Sequence, residues 1–223
     1  RTSTSGGVTM PSAHVDTFAR DNLPPPELQP EYCFDLPELQ FPEQLNCARE
    51  LLDRHVLEGR GDRICIRAPG ISWTYRDLQD KADRIAHVLV RDMGLVPGNR
   101  VLLRAPNNPM LAACWFAVLK AGGIAVATMP LLRAKELTAI VDKAQIRHAL
   151  CDVRLAEELR ATQASCPALR TVALFGTDAA DGLDARVSDV VRGRHPRTHR
   201  LRRDLHRGRS VSRRADRRRG RST

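Results

Sequence analysis

From Pro97 to Pro130 the order of apolar and polar positions spells one complete βαβ crossover. Pro97-Gly98 supplies a turn, with proline fixing φ and glycine admitting φ > 0. Val101, Leu102 and Leu103 form an unbroken apolar run of the kind found in strands buried on both faces. Asn108 is placed to cap the next helix, Pro109 suits its first position, and Gly122-Gly123 ends it. Ile124 to Ala127 makes a second buried strand. A parallel pair needs a crossover of this length, so the segment predicts an α/β sheet.

The pattern continues on both sides. A helix over Pro42 to Leu57 places Leu45, Ala48, Leu51, Leu52 and Val56 on one face, and Gly59 stops it. Ile64 to Arg67 and Ile71 to Thr74 read as a hairpin around Pro69-Gly70. Thr74 is a candidate N-cap, with Asp77 three residues on as its acidic partner. The helix it opens buries Leu78, Ala82, Ile85, Ala86 and Leu89 and reaches Gly94, leaving Asp77, Asp80, Lys81, Asp83 and Arg84 largely on a wet face. Farther on, Ala134 to Ala144 and Arg154 to Ala164 read as helices, and His148 to Cys151 and Thr171 to Phe175 as strands. Strand centres near Leu103, Val126, Ala149 and Val172 recur every 23 residues, the length of a compact βα unit. The expected fold is α/β, an incomplete, mostly parallel sheet with flanking helices.

The ends do not follow this pattern. Pro24-Pro25-Pro26 and Pro30 keep residues 1–41 extended as an arm, which Tyr32, Phe34, Leu36, Leu39 and Phe41 are expected to tack onto the domain surface. Residues 42–176 form the partial α/β domain, and 177–191 a polar linker. Residues 192–223 have no aromatic and no hydrophobic period, so this segment is expected to be disordered.

Charge sharpens the division. The net charge of +10 is the sum of two unlike pieces. From Arg192 to Thr223 there are fourteen arginines, two aspartates and no lysine, giving +12, whereas the preceding residues carry −2. Hydrophobic content of 42% suffices for a core. No apolar run is long enough to span a membrane, and the chain does not open on a signal-peptide pattern. Cys33, Cys47, Cys65, Cys114, Cys151 and Cys166 are scattered with no C-x-x-C pair, which fits buried free thiols in a reducing cytoplasm.

Candidate chemistry is sparse. Thr2 to Gly7 has the composition of a phosphate loop but lacks a lysine and a preceding strand, and reads as a polar end. Ala105 to Pro109 leads into a helix N-terminus where amides bind anions, yet without a lysine or glycine nest it reads as structural capping. Arg133 and Lys135 could meet phosphate but fit a solvated helix start. Met110, Trp115 and Phe116 read as core rather than an aryl pocket. His14, His55, His87 and His148 show no metal-ligand spacing, and no hydrolase motif is present.

SWTYRDLQDKADRIAHVL, GLVPGNRVLLRAPNNP, WFAVLKAGGIAVATMPLLRAKEL and IVDKAQIRHALCD, in this order and spacing, resemble the N-terminal region of AMP-forming acyl-CoA synthetases. Trp73 to Leu78 and Val118 to Gly123 resemble early core motifs of that superfamily. VDTFARDNLPPPELQPEYCFDLPELQFPEQLNCARELLD (Val15 to Asp53) and ATMPLLRAKEL resemble its aryl-CoA ligase branch, with 2-aminobenzoate-CoA and benzoate-CoA ligases nearest. The likeness spans Ser12 to Val187. It implies an intact enzyme that joins an aromatic carboxylic acid to coenzyme A through an acyl-adenylate, with ATP and Mg²⁺. The Ser/Thr/Gly-rich phosphate loop with its lysine, the ribose-binding acid and the mobile C-terminal domain of that family lie beyond the matched region. No catalytic, cofactor-binding or metal-binding residue is therefore carried over, including Glu157 and Glu158 in a scaffold helix, and this chain is expected to bind no cofactor and to be inactive. The abrupt arginine-rich ending suggests translation of a GC-rich gene in a shifted frame. The competing reading is a noncatalytic protein whose tail associates with nucleic acid or other polyanions, without base selectivity because it lacks stacking aromatics.

Overall fold

The computed structural model describes residues 12–31, 33–42, 44–178 and 182–191. The Thr2–Gly7 stretch and the order of residues 192–223 lie outside them. At the centre is a four-stranded parallel sheet of β3 (Arg100–Arg104), β4 (Ile124–Thr128), β5 (His148–Asp152) and β6 (Thr171–Phe175), in the order β4-β3-β5-β6. A separate antiparallel hairpin joins β1 (Ile64–Ala68) to β2 (Ile71–Thr74). Helices α3 (Tyr75–Arg91), α4 (Pro109–Lys120) and α7 (Leu183–Val191) pack as one layer, and α5 (Ala134–Ala144) and α6 (Ala156–Ser165) as the other.

The two-residue period of β3 explains the two layers. Val101 and Leu103 enter the core shared with α3 and α4, while Leu102 enters a second core with Val141, Ile146, Leu159 and Leu169. Helix ends follow local chemistry. Thr74 accepts the amide of Asp77 while Asp77 accepts the amide of Thr74, a reciprocal cap. Asn108 Oδ1 accepts the amide of Leu111 with Pro109 next to it, as the capping reading of this loop expects. Met110, Trp115 and Phe116 are half-buried against the main core.

Four expectations change. The helix expected from Pro42 begins only after Asn46, whose side chain accepts the amide of Ala48. It contains a π-helical turn over Arg49–Asp53 before α2 (Arg54–Leu57). That turn shifts the phase, so Leu51 is exposed and Asp53 is buried. Asp83 is also buried, contrary to its place on an expected wet face. The Nζ of Lys120 on α4 lies 2.5 Å from Asp53 and 2.6 Å from Asp83, and Gln79 Nε2 also donates to Asp53. Residues 177–191 are more than a linker: α7 fills part of them, with Leu183 buried and Val187 against the core. Finally, Cys114, Cys151 and Cys166 are buried, but Cys33 and Cys47 are exposed.

The arm runs along the amino edge of the sheet. It begins with the short helix α1 (Phe18–Asp21), just after the amides of Val15 and Asp16 donate to Pro97 O. Asp16 Oδ2 accepts from Asn99 Nδ2 and Arg100 Nη1, both at 2.7 Å. Gly98, at φ +91°, allows this approach, since a Cβ there would stand 2.1 Å from Asp16 O. The arm is fastened again where Asn46 Nδ2 donates to Leu119 O. Between these points Phe34, Leu36 and Phe41 remain about half exposed or more, against the expectation that they tack the arm down, and Tyr32 lies outside the described residues.

Two outcomes test this account. Lys120→Met removes the ammonium that two buried carboxylates share, and is expected to cost about 3–5 kcal/mol in urea unfolding. Adding Asp53→Asn and Asp83→Asn should recover part of that loss. His148, buried beside Asn99, is pushed down to about 4 by its burial first and by Arg147 and Arg170 second. Its neutral form is thus favoured by folding. The associated stability is complete above the ordinary value of 6.5 and is lost as pH falls toward 4, by up to about 3 kcal/mol. His148→Gln should flatten the decline in urea midpoint between pH 7 and 4.5, and an unchanged slope would contradict this assignment.

Candidate functional site

In open α/β sheets, ligands bind beyond the carboxyl ends of the strands, where successive connections leave toward opposite faces. Here that point lies between β3, which leads into α4 on one face, and β5, which leads into α6 on the other. Arg104 ends β3, Asn107 and Asn108 start the connection to α4, Asp152 ends β5, and Arg154 follows it. The loop over residues 129–133 after β4 borders the same edge.

These groups mostly satisfy one another. Asn108 uses Oδ1 for its helix cap and donates Nδ2 to Asp152 Oδ2 at 3.0 Å. Asp152 also receives Arg154 Nε at 2.9 Å and Nη2 at 2.7 Å, as well as the Arg154 amide. The Arg154 hydrogen bonds, which outweigh burial, hold the Asp152 carboxyl below the usual carboxylate range. Arg104, only 1% exposed, donates to the carbonyls of Met129, Pro130, Leu132 and Leu155. A buried guanidinium with no carboxylate hydrogen-bonded to it is held by carbonyl dipoles, and in return it fixes the 129–132 loop.

Arg133 and Lys135 sit at the start of α5. Arg133 Nη1 donates to Glu158 Oε1 at 2.8 Å, and Glu158 Oε2 accepts the amide of Ala134. Glu158 is thus a tertiary cap on α5, and the Arg133 hydrogen bond first, then the Ala134 amide, lower its carboxyl. Lys135 lies exposed on the same turn. Cys151 is buried on β5, and burial pushes its thiol up to about 12, so it stays protonated.

The sequence reading located the Ala105–Pro109 loop, Arg133 and Lys135, and the structure brings the first two to this edge in capping and pairing roles. It missed Arg104, Asp152 and Glu158. The signals available were an arginine closing an apolar run and an aspartate closing the next strand. No group of three or more His, Cys, Asp or Glu side chains suited to a metal occurs among the described residues. Among the described residues the edge pairs no nucleophile with a base, and no lysine stands in a glycine-rich turn there. Asn108 holds the Leu111 amide at the start of α4, and Arg154 and Arg133 are paired with Asp152 and Glu158.

The sequence profile of the AMP-binding enzyme family matches residues 52–203. Salicyl-AMP ligase / salicyl-S-ArCP synthetase of Mycobacterium tuberculosis is 41% identical over 93 residues, covering 41% of this chain and 15% of its own. Benzoate–CoA ligase of Thauera aromatica is 25% identical over 149 residues, covering 67% of this chain and 28% of its own. Among solved structures, the anthranilate CoA ligase AuaEII in complex with anthranoyl-AMP shares the fold with a TM-score of 0.61 at 20% identity, over 66% of this chain and 28% of its own. ATP-bound MatB from Rhodopseudomonas palustris does so with a TM-score of 0.56 at 24% identity, over 64% and 27%. The chain spans less than a third of the length of each of these relatives. With the profile matched across more than half of its residues, the chain belongs to the family of AMP-binding enzymes.

Proposed function

We propose that this chain corresponds to the N-terminal scaffold of an aryl-CoA ligase, and that by itself it does not form an acyl-adenylate. In the reaction of the intact ligase an aromatic carboxylate attacks the α-phosphate of ATP, releasing pyrophosphate. The coenzyme A thiolate then displaces AMP to give the thioester, with Mg²⁺ spreading the phosphate charge. Support for the aromatic class comes from the aromatic-acid ligases among its relatives, whose names include salicyl, hydroxybenzoate and benzoate ligases. The preference for 2-aminobenzoate or benzoate rests on the resemblance of the arm and the 127–137 segment.

The observation that carries the inactive reading is the carboxyl edge itself. Its polar groups are engaged in capping and ion pairing, and no lysine follows Lys143 in the sequence. Residues 52–178 then serve as the framework on which a phosphate loop and a C-terminal domain would act. The arginine-rich ending is assigned to a shifted reading frame, because composition breaks abruptly near Val190 while the framework before it is intact.

Carboxylate-dependent ATP–pyrophosphate exchange with benzoate, salicylate and 2-aminobenzoate is expected to stay at the no-enzyme background, beside a full-length ligase as positive control. Exchange above background with any of the three acids would overturn the inactive reading. Resequencing the gene and translating every frame downstream of the Leu183 codon should recover a Ser/Thr/Gly-rich loop with a lysine. If every frame lacks such a loop, the frame-shift assignment fails.

A further inference from the structure

The arm presents an unusual combination of order and unspent charge. From Asp21 to Pro42 the sequence contains five acidic residues and no lysine, arginine or histidine. Two Pro-Glu-Leu-Gln turns recur eleven residues apart, as 3-10 turns over Pro26–Leu28 and Pro37–Leu39. Each is closed by its own glutamine, Gln29 Nε2 to Pro24 O and Gln40 Nε2 to Phe34 O. The repeat holds Glu27 and Glu38 outward, and Glu31 and Asp35 are exposed between them. None of these four carboxylates forms an ion pair with a described residue. Phe34 and Phe41, 48% and 57% exposed, meet edge to face at 5.9 Å beside them. Carboxylates beside partly exposed aromatic rings suit guanidinium groups, which pair with the former and contact the latter.

We propose that the arm is the docking strip for the arginine-rich residues 192–223 of the same chain. Charge complementarity is one support: four unpaired carboxylates face a segment with fourteen arginines and only two aspartates. Topology is the other. In a parallel βα sheet each helix runs back against its strand, so α7 delivers Val191 to the amino edge of the sheet. The arm lies at that same edge, tied to Pro97 and Asn99 at one end and to Leu119, at the end of α4, at the other. Helix α3 separates α7 from α4, a span of about 20 Å at ordinary helix spacing. The chain beyond Val191 has a contour of up to about 100 Å, ample to cross it. Tethering places the arginines near the arm at an effective concentration on the order of millimolar, so weak individual pairs add up. The contact follows from charge and tether alone and is independent of the ligase reading and of how the tail arose.

The test uses the full chain with Cys47→Ser and Ser222→Cys, labelled with donor and acceptor dyes at exposed Cys33 and the new site. Energy transfer is expected to be high at 20 mM salt and to fall at least about twofold at 500 mM, where screening confines charge attraction to a few ångströms. Neutralising the strip (Glu27→Gln, Glu31→Gln, Asp35→Asn, Glu38→Gln) should lower transfer at 20 mM salt to the high-salt value. Neutralising four exposed acids elsewhere (Asp62→Asn, Asp92→Asn, Glu157→Gln, Asp178→Asn) should leave it unchanged. Transfer that ignores salt, or that responds equally to both quadruple variants, overturns the proposal. So does transfer that vanishes when labelled chains are diluted into unlabelled ones, which would place the contact between molecules.

Discussion

Everything in this domain hangs on strand β3, a run of apolar residues that ends in a buried guanidinium on each side. At the amino edge, Arg100 donates to Gly98 O and to the carbonyls of Ala144 and Gln145 that finish α5, lies 4.6 Å from the Phe18 ring, and meets Asp16. At the carboxyl edge, Arg104 collects four carbonyls from two loops. A buried guanidinium is tolerable only when its donors are met, so each arginine dictates the path of the chain around it. Between them Val101, Leu102 and Leu103 reach into both cores. The strand therefore fixes the sheet, the end of α5, the arm and the loop after β4 together.

The parts of this fold that were legible in the sequence are those governed by local rules. The reciprocal Thr74–Asp77 cap, the Asn108-Pro109 start and the strand runs of β3 to β6 each depend on residues within one turn or one strand. Elements α5 and β6 match the expected bounds, because Gly, Pro and polar punctuation surrounds each apolar pattern.

What escaped depends on partners far along the chain. Asp53 and Asp83 look like wet-face acids until Lys120 is brought between them by the packing of α3 on α4, and no local period encodes that meeting. The π-helical turn at Arg49–Asp53 is equally hidden, since the register it changes is visible only from the buried side. Glu158 reads as part of a scaffold helix, yet it also caps a helix that begins 24 residues earlier. Helix α7 was obscured by the aspartates and arginine that interrupt its apolar positions; among its described side chains Leu183 and Val187 reach the core.

The same distinction separates framework from chemistry. The match to the family model runs through residues whose apolar side chains form the two cores and whose caps and turns are in place. Chemistry requires groups that remain unsatisfied by the fold and are aimed at a ligand. At the carboxyl edge Asp152 already binds Asn108 and Arg154, Glu158 already binds Arg133, and Arg104 already binds backbone. At the amino edge Glu27, Glu31, Asp35 and Glu38 of the arm form no ion pair with a described residue. These four carboxylates lie on the arm, at the edge opposite to the one where the fold would hold a nucleotide. A strip of uncompensated negative charge attracts a cationic segment and repels a phosphate, whatever the origin of that segment.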